Sequence, residues 1–477
     1  MDLSAIRKQW QAAGQGQVFR FFDGLDTNQK EKLGQQLQQF DLKHLSALAD
    51  EYVKRKPDVK IPTDIKPVKA YPRTPAGADQ KKLYEDARHR GHDLLTQGKV
   101  ATFLVAGGQG TRLGYDGPKG EFPVTPIKHK PLFKVFAQQL LAYSRDFGEV
   151  VPWYIMTSDA NDAQTRAFFA EHYYFGLSSK DVFFFQQGMM PAFGNDGRWL
   201  LADRDSLALS PDGHGGSLRA LERSGALADM RKRGVEHLSY FQVDNPLVHI
   251  IDPLFLGLHD LTGSEMSSKT ISKAGPLEKV GNFVEGDGAV QVIEYSDLPD
   301  SLANQTDETG RLRYNEGSIA IHALRRSFVE RLNASGTLSL PWHRADKKVP
   351  YIDDTGMLVK PAQPNAVKLE QFVFDAIPLA RNAIVYTTDR AEEFSPVKNA
   401  QGVDSPATCQ RDQIRRAARW LTAAGVSVHQ KDGEPDAVVE ISPLFATSAE
   451  QLQQRTIGSK HIQKGETLYF GDAAETD

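Results

Sequence analysis

Residues Leu104–Val124 read LVAGGQGTRLGYDGPKGEFPV, a glycine-rich stretch at the end of an apolar run. The run, which ends at Ala106, predicts a buried strand, and the glycines after it predict a turn. In open α/β sheets, ligands bind beyond the carboxyl ends of the strands. Because glycine lets the backbone approach a ligand and direct amides at its oxygens, the stretch predicts an α/β fold with a phosphate-binding loop here.

Two common phosphate-binding patterns do not fit this loop. A kinase-type P-loop requires Gly-Lys-Ser/Thr, which is absent. A dinucleotide fingerprint requires a third glycine where Leu113 stands, and Gly114 comes one residue late. The loop instead offers Arg112, a planar fork for phosphate oxygens, and Lys119, a point charge that follows Pro118. Amides and two cations on one loop suit a triphosphate better than a single phosphate.

Strand and helix patterns alternate along most of the chain from Val100 onward. This alternation predicts an α/β fold with a doubly wound, mostly parallel mixed sheet of Rossmann-like type. Short strand patterns in residues 264–325 predict an added antiparallel section beside it. We expect an N-terminal helical region with a proline-rich connector at 1–95, a catalytic domain at 96–404, and a small C-terminal lobe containing β-structure at 405–477.

The bulk composition is that of an ordinary globular protein. The 477 residues carry a net charge of −4, which excludes a strong general attraction to nucleic acid or membranes. The single cysteine, Cys409, excludes an intrachain disulfide and fits a reducing compartment. The N-terminus lacks the pattern of a signal peptide, and no apolar run reaches the roughly 20 residues that span a bilayer. We therefore expect a cytoplasmic protein with no nucleic-acid, membrane or obligatory protein partner.

Two acidic motifs are candidates for metal binding. Asp244 ends the strand pattern HLSYFQVD, where a carboxylate suits Mg²⁺ that bridges phosphates; the alternative is a helix cap before Pro246. Asp203-Arg204-Asp205 spells D-x-D, a metal motif of glycosyltransferases. It follows GRWLLA, and we interpret it as a solvated turn.

Several strings together carry a family resemblance. G-G-x-G-T-R followed by P-K is the signature of sugar-phosphate nucleotidyltransferases. With WYIMTS, FFQQGMMPAF, LSPDGHGGSLRAL, QVDNPLV, VIEYSDL, KLEQFVFD and EFSPVKNA, the chain resembles the eukaryotic-type UDP-N-acetylhexosamine pyrophosphorylases of the UDP-glucose pyrophosphorylase superfamily. The resemblance runs from about Leu104 into the C-terminal lobe and implies the nucleotide-diphospho-sugar transferase fold.

The resemblance implies a reaction and a set of residues. UTP and a hexose 1-phosphate, foremost N-acetylglucosamine 1-phosphate, would give a UDP-sugar and pyrophosphate with Mg²⁺ as cofactor. Arg112, Lys119 and Lys398 would be catalytic, and Asp244 would bind nucleotide and metal. Gln187 and Gly213 would meet the uracil. The remaining nucleotide-binding positions are Ala106, Gly107, Gly108, Gly110 and Thr111. From spacing alone, Lys398 could instead be a surface lysine and Gln187 a buried glutamine bonded to backbone.

The sugar side departs from the family pattern. The sugar-binding positions implied are His214, Gly281, Glu294, Ser318, Phe372 and Phe374. His214 stands where the N-acetylhexosamine enzymes have asparagine, and the glucose-type enzymes commonly have Gly-His-Gly. Ser318 and Ile321 also replace polar family residues. A UDP-glucose, UDP-galactose or broad-range pyrophosphorylase is therefore the alternative. A nucleotide-sugar-dependent glycosyltransferase and a non-catalytic UDP-sugar-binding protein are alternatives from other classes.

Overall fold

A computed structural model describes residues 2–57, 61–62, 64–336, 338, 340–455, 457–458 and 461–472. The chain forms two compact units. Unit 1 comprises Met1–Lys60, Gln187–Arg219 and Leu338–Asp375, and unit 2 comprises Ile61–Gln186, Ala220–Thr337 and Ala376–Asp477. These edges differ from the expected boundaries at 95 and 404. Each unit draws on three separate stretches, because strands distant in sequence pair within it.

Unit 2 is built on an 11-stranded mixed sheet. Its strands are β1 (Lys66–Pro67), β2 (Ala70–Tyr71), β3 (Val100–Val105), β4 (Trp153–Thr157), β5 (Val182–Gln186), β6 (His237–Gln242), β7 (Met266–Ser272), β8 (Gly281–Gly286), β9 (Ala289–Ile293), β10 (Glu316–Arg325) and β11 (Ile384–Thr387). The main path runs β2-β11-β7-β10-β6-β3-β4-β5, and β8 pairs with β1, β9 and β10.

The main path of the sheet is mostly parallel, as the sequence predicts. Strands β6, β3, β4 and β5 are parallel neighbours, and so are β2, β11 and β7. Strand β10 is antiparallel to both β6 and β7. The antiparallel section predicted within 264–325 therefore lies inside the sheet rather than only beside it.

Helices of unit 2 cover the sheet. Their bounds are Gly77–Thr96, Leu132–Phe147, Asp162–Glu171, Ala226–Arg233, Pro253–Leu261, Asp300–Ala303, Arg326–Asn333, Arg390–Glu393, Pro406–Ala423 and Ala449–Gln453. The sequence predicts one helix over 217–234. The structure has two, Ser217–Arg223 and Ala226–Arg233, because Gly225 at φ +80° breaks the helical path between them.

The helix pair Gly77–Thr96 and Pro253–Leu261 packs unusually closely. A Cβ on Gly91 would lie 1.8 Å from the Pro253 oxygen, and one on Gly257 would lie 1.7 Å from the Ala87 oxygen. Only glycine permits this approach, so these two glycines determine how the helices lie on unit 2.

Unit 1 contains the N-terminal helices Leu3–Ala12, Thr27–Gln38 and Leu42–Leu48. Asp26 caps the second helix in a capping box with Gln29. Trp10 packs edge-on against Trp199 at 4.4 Å within the apolar core of this unit. Its strands are Met189–Pro191, Phe193–Gly194, Leu201–Asp203, Ser206–Leu207, Leu209–Pro211, His343–Lys347, Tyr351–Ile352, Leu358–Val359 and Ala366–Glu370.

The C-terminal part of unit 2 has its own apolar cluster, centred on Trp420, Leu421 and Val439. Short strands there are Ser427–Val428, Gln430–Lys431, Glu434–Pro435, Val438–Ile441, His461–Ile462 and Thr467–Phe470. The β-character predicted after residue 405 is therefore present. The predicted proline-rich connector falls partly on residues 58–60 and 63, which lie outside the described residues. Within the described part of the chain, no helix is both long and apolar enough to cross a membrane.

Candidate active site

The glycine-rich loop lies where the order of strands in the sheet reverses. The chain proceeds from β3 to β4 on one side, whereas β6 pairs with β3 on the other side. Such a switch point opens a crevice at the carboxyl ends of the strands. Val243 N donates to Val105 O at 3.1 Å, so Asp244 follows β6 directly beside the loop that follows β3.

The loop is held by hydrogen bonds between its own backbone groups. Gly110 N donates to Gly117 O at 2.8 Å, and Lys119 N donates to Gly108 O at 3.1 Å. A short 3₁₀ turn at Thr111–Leu113 places the exposed Thr111 and Arg112 on its outer side. Gly108 is exposed, and a Cβ there would meet nothing within 4 Å, so a ligand can reach this part of the backbone.

Asn161, which the sequence analysis did not identify, braces this loop. Its side chain is fully buried and donates through Nδ2 to Ala106 O at 2.9 Å and Gly108 O at 3.4 Å. Ala106 also donates its own amide to Met156 O, so both of its backbone groups are engaged within the protein. A nucleotide could therefore contact Ala106 in two ways. Its carbonyl oxygen could accept a second hydrogen bond, or the nucleotide could pack against the residue.

Lys119 is a buried cation among other charges. Only 8% of the residue is exposed. Burial lowers the pKa of Lys119, and the nearby cations Arg112 and Lys398 lower it further, while Asp244 opposes them. The other three side chains therefore lie within electrostatic range of Lys119. The three cations, Arg112, Lys119 and Lys398, outnumber the nearby carboxylates of Asp244 and Asp404, and this excess of positive charge suits a polyanion.

Lys398 is tied to the end of β6 through its own segment. Val397 N donates to Asp244 O at 2.7 Å. Lys398 N donates to Asp404 O at 2.7 Å, and its Nζ lies 3.9 Å from Asp404 Oδ2. Burial raises the pKa of the Asp404 carboxyl, Lys398 opposes that rise, and Asp244 adds to it. Asp404, which the sequence analysis also missed, is thus the local counter-ion of Lys398.

The carboxylates here suit a divalent metal that substrate oxygens help to bind. No group of three or more His, Cys, Asp or Glu side chains in the described ranges could bind a metal alone. Asp244 supplies one carboxylate beside the predicted phosphate loop. Mg²⁺ typically takes one or two carboxylates and completes its shell with phosphate oxygens and water. The donor set therefore fits a metal that arrives with a nucleotide.

A second group of predicted residues lies on unit 1. Gln187 Nε2 donates to Gly213 O at 2.9 Å. Gly213 has φ +87°, and a Cβ on it would lie 2.3 Å from Gln371 O. Gly215 N donates to the same Gln371 oxygen, and Gln371 N donates to Asp212 O. The loop 212–215 is therefore clamped against residue 371, with the Gln187 amide bonded to it.

His214 stacks on Phe372 within unit 1. The ring centroids are 5.1 Å apart at 21°, and His343 stacks on the same phenylalanine at 4.3 Å. Val373 N donates to His214 Nδ1 at 3.1 Å, so the neutral ring carries its proton on Nε2. Burial, with a smaller contribution from His343, lowers the pKa of His214 to about 4. His214 therefore presents an uncharged N–H donor near neutral pH, and Phe374 lies against it at 5.9 Å.

The other predicted sugar positions lie together on unit 2. Gly281 of β8 pairs with Ser318 of β10. A Cβ on Gly281 would lie 2.5 Å from Val292 Cγ1, 3.6 Å from Glu294 Oε1 and 3.7 Å from Ser318 Cβ. Ile321 is only 3% exposed and belongs to the apolar core. Its replacement of a polar family residue therefore concerns packing.

The predicted site residues are divided between the two units. Unit 1 has Gln187, Gly213, His214, Phe372 and Phe374, and unit 2 has Ala106, Gly107, Gly108, Gly110, Thr111, Arg112, Lys119, Asp244, Gly281, Glu294, Ser318 and Lys398. The D-x-D motif occupies a turn, as predicted. However, Asp205 is buried and pairs with Lys32 at 2.9 Å, so it is not solvated as expected.

Known proteins resemble this chain over nearly its whole length. A UDP-N-acetylhexosamine pyrophosphorylase-like protein 1 of Xenopus tropicalis is 37% identical over 94% of this chain and 93% of its own. The UDP-N-acetylglucosamine pyrophosphorylase of Saccharomyces cerevisiae is 35% identical over 93% of this chain and 95% of its own.

A solved structure agrees with these relatives. The uridine diphosphate N-acetylglucosamine pyrophosphorylase of Trypanosoma brucei, in complex with an inhibitor, superposes with a TM-score of 0.82 at 25% identity, covering 100% of this chain and 99% of its own. The family model described as UTP–glucose-1-phosphate uridylyltransferase matches residues 42–439. Enzymes of this family act on UTP and a sugar 1-phosphate and generally use a divalent metal. The chain belongs to the UTP–glucose-1-phosphate uridylyltransferase family.

Proposed function

We propose that this protein transfers the uridylyl group of UTP to a hexose 1-phosphate, foremost N-acetylglucosamine 1-phosphate, with release of pyrophosphate. The observation that carries the proposal is that the glycine-rich loop, Asp244 and the segment before Lys398 meet at the switch point of the sheet, where Val243 N donates to Val105 O and Val397 N donates to Asp244 O. The names of the relatives, at 32–40% identity, support the same reaction.

The chemistry needs charge and position more than a base. A phosphate oxygen of the sugar ester attacks the α-phosphorus of UTP, the bond to the bridging oxygen breaks, and pyrophosphate leaves with that electron pair. The nucleophile is already anionic near neutral pH, so no proton has to be removed. The barrier lies in bringing two polyanions together and stabilising the leaving group, which preorganised cations accomplish.

The residues of unit 2 divide this work. Arg112 and Lys119, on the glycine-rich loop, would bind the β- and γ-phosphates, with the backbone around Gly108 close to their oxygens. Lys398 would neutralise the α-phosphate as it gains a fifth ligand. The ion pair between Lys398 Nζ and Asp404 Oδ2 is long, at 3.9 Å, and therefore weak. Lys398 would exchange it for the phosphate when UTP binds.

Asp244 would hold Mg²⁺ together with oxygens of the triphosphate. When bound, the ion would supply positive charge that offsets charge on the leaving pyrophosphate. We propose Mg²⁺ because it is a hard cation that prefers oxygen ligands, and the carboxylate and the phosphates supply only such ligands.

On unit 1, Gln187 and Gly213 are proposed to read the uracil edge. An amide can both donate and accept, as a pyrimidine edge requires. Since the Gln187 Nε2 already donates to Gly213 O, its Oε1 would accept from the base. A Cβ on Gly213 would clash with Gln371 O, so only the backbone of residue 213 can face the base.

The choice of sugar depends on His214, Ser318, Gly281, Glu294 and the Phe372–Phe374 pair. His214 Nε2–H would donate to the acceptor on carbon 2, which is a carbonyl oxygen in an acetamido sugar and a hydroxyl in glucose or galactose. Both sugars offer an acceptor, so His214 does not exclude glucose or galactose, and a UDP-glucose, UDP-galactose or broad-range pyrophosphorylase is the second candidate. A buried polar group discriminates best against substrates that leave it unpaired.

The test is pyrophosphate release from UTP and Mg²⁺ with the 1-phosphates of glucose, galactose, N-acetylglucosamine and N-acetylgalactosamine. We expect N-acetylglucosamine 1-phosphate to give the highest kcat/KM. A preference for glucose or galactose 1-phosphate would support the second candidate. Release no faster than in a no-enzyme control with every sugar would overturn uridylyl transfer itself.

A further inference from the structure

A buried lysine lies on an internal strand of the sheet, between β11 and β10. Lys269 is on β7, and only 1% of its side chain is exposed. Its Nζ lies 2.6 Å from Asp252 Oδ2 and 2.6 and 2.8 Å from the two carboxylate oxygens of Glu393. Burial alone would lower the pKa of Lys269, but the two carboxylates outweigh it and raise the pKa. The lysine is therefore a fixed cation with two charged partners.

Both partners are themselves anchored. Asp252 Oδ1 accepts from Phe255 N at 3.2 Å at the start of the helix Pro253–Leu261. Glu393, 2% exposed, accepts through Oε1 from His249 N at 3.3 Å. The lysine thus joins the segment after β6, which contains His249 and Asp252, to the segment that begins at Glu393.

Asn245, the residue after Asp244, joins the same two segments a second time. Asn245 is 5% exposed, and its Nδ2 donates to Glu393 O at 2.7 Å. Its Oδ1 accepts from Ser395 N at 3.1 Å. Val397 N then donates to Asp244 O. Each step fixes the 393–397 backbone against Asp244 and its neighbour, immediately before Lys398.

We propose that Lys269, acting through Glu393 and Asn245, is a positioning residue that sets where Lys398 lies relative to Asp244. The proposal rests on the proposed uridylyl transfer. Lys269 itself touches neither Asp244 nor Lys398 through any hydrogen bond or ion pair among the described residues, so it acts through the two segments that it joins. Displacing a catalytic group by about 1 Å can reduce turnover about 100-fold.

The test is a double-mutant cycle on kcat. Lys269→Met should lower kcat by about 10- to 100-fold and change the KM for UTP by less than about threefold. If the loss arises because Lys398 is displaced, Lys269→Met should lower kcat little further in a protein that already carries Lys398→Ala. A purely structural role would instead multiply the two losses, and that result would overturn the proposal.

Three further variants keep the test decisive. Lys130→Met removes another buried lysine, hydrogen-bonded to Gln138 at 2.8 Å and Tyr469 at 2.7 Å, and should retain wild-type kcat. Asn245→Ala removes the hydrogen bonds to Glu393 O and from Ser395 N, and it leaves no buried charge without a partner. In a double-mutant cycle on kcat, it should be as non-additive with Lys398→Ala as Lys269→Met is. Glu393→Gln retains an acceptor for Lys269 and should keep kcat within about threefold of wild type.

The outcomes separate the two proposals. If wild-type protein releases no pyrophosphate with any sugar, the proposed function fails. If wild-type protein is active and Asn245→Ala retains full kcat, only the positioning role fails. Should Lys269→Met not fold, Asn245→Ala decides the question.

Discussion

Lys119→Met should reduce activity without reducing stability. The lysine is 8% exposed, and burial, with Arg112 and Lys398, lowers its pKa. A lowered lysine pKa means that the fold disfavours the charged form. That destabilisation is present at every pH below the folded pKa, because the side chain is charged in both states there. It fades as the pH rises toward the ordinary lysine pKa. A neutral side chain of similar length should therefore leave the unfolding midpoint at neutral pH unchanged or raise it.

The expected loss of activity follows from the interaction removed. A hydrogen bond to a charged group contributes about 1.5–3 kcal/mol. At about 1.4 kcal/mol per factor of ten, kcat/KM for UTP should fall roughly 10- to 150-fold. Pyrophosphate release at neutral pH measures this, and thermal unfolding of the same samples measures stability.

The control is Lys130→Met. Lys130 is equally buried, but its ammonium donates to Gln138 and Tyr469, so its loss should lower the unfolding midpoint and leave kcat/KM intact. The reasoning is refuted if Lys119→Met retains full kcat/KM, or if its unfolding midpoint falls as far as that of Lys130→Met, because Lys119 would then be a structural residue.

Three further changes test other parts of the site. Lys398→Ala should lower kcat by orders of magnitude. Lys99 is the control because its side chain is also 32% exposed and paired with one carboxylate, and Lys99→Ala should leave kcat unchanged. Equal effects of the two substitutions would contradict the role of Lys398. His214→Asn should raise the kcat/KM ratio of N-acetylglucosamine to glucose 1-phosphate, and an unchanged ratio would remove His214 from sugar selection. Gly213→Ala should raise the KM for UTP because its Cβ would meet backbone at 2.3 Å; Gly225→Ala, with a similar φ of +80° and open space, should lose only stability.

The sequence predicted the local parts of unit 2 well, because they depend on neighbouring residues. Alternating apolar runs predicted β3 to β6, and the glycines after β3 predicted the loop. The position of Asp244 at the end of its strand followed from the same pattern. Since β3 and β6 are parallel neighbours, these two predictions meet at one edge of the sheet.

Features made by distant residues were not predictable in this way. The antiparallel strand β10 lies between β6 and β7 because pairing partners are chosen by the whole sheet. Asn161 and Asn245 are single polar residues with no distinctive spacing, and their roles depend on backbone groups that only the fold brings near. The break at Gly225 is a local feature that the predicted single helix over 217–234 missed, although a glycine inside a helical pattern is a visible signal.

The division of the chain was also invisible in sequence. Unit 1 collects three stretches, and its core packs Trp10 against Trp199, nearly 190 residues away. A composition change marks the proline-rich connector, but no change of composition marks the edges at 187, 219, 338 and 375.

A crystal structure with UTP and Mg²⁺ bound would test the central claim most directly, namely that one triphosphate lies against the glycine-rich loop and both lysines. We expect the Nζ atoms of Lys119 and Lys398 to lie within about 3.5 Å of phosphate oxygens of a single UTP, with the metal on Asp244. A nucleotide bound elsewhere, or one whose phosphates reach only one of the two lysines, would contradict the account.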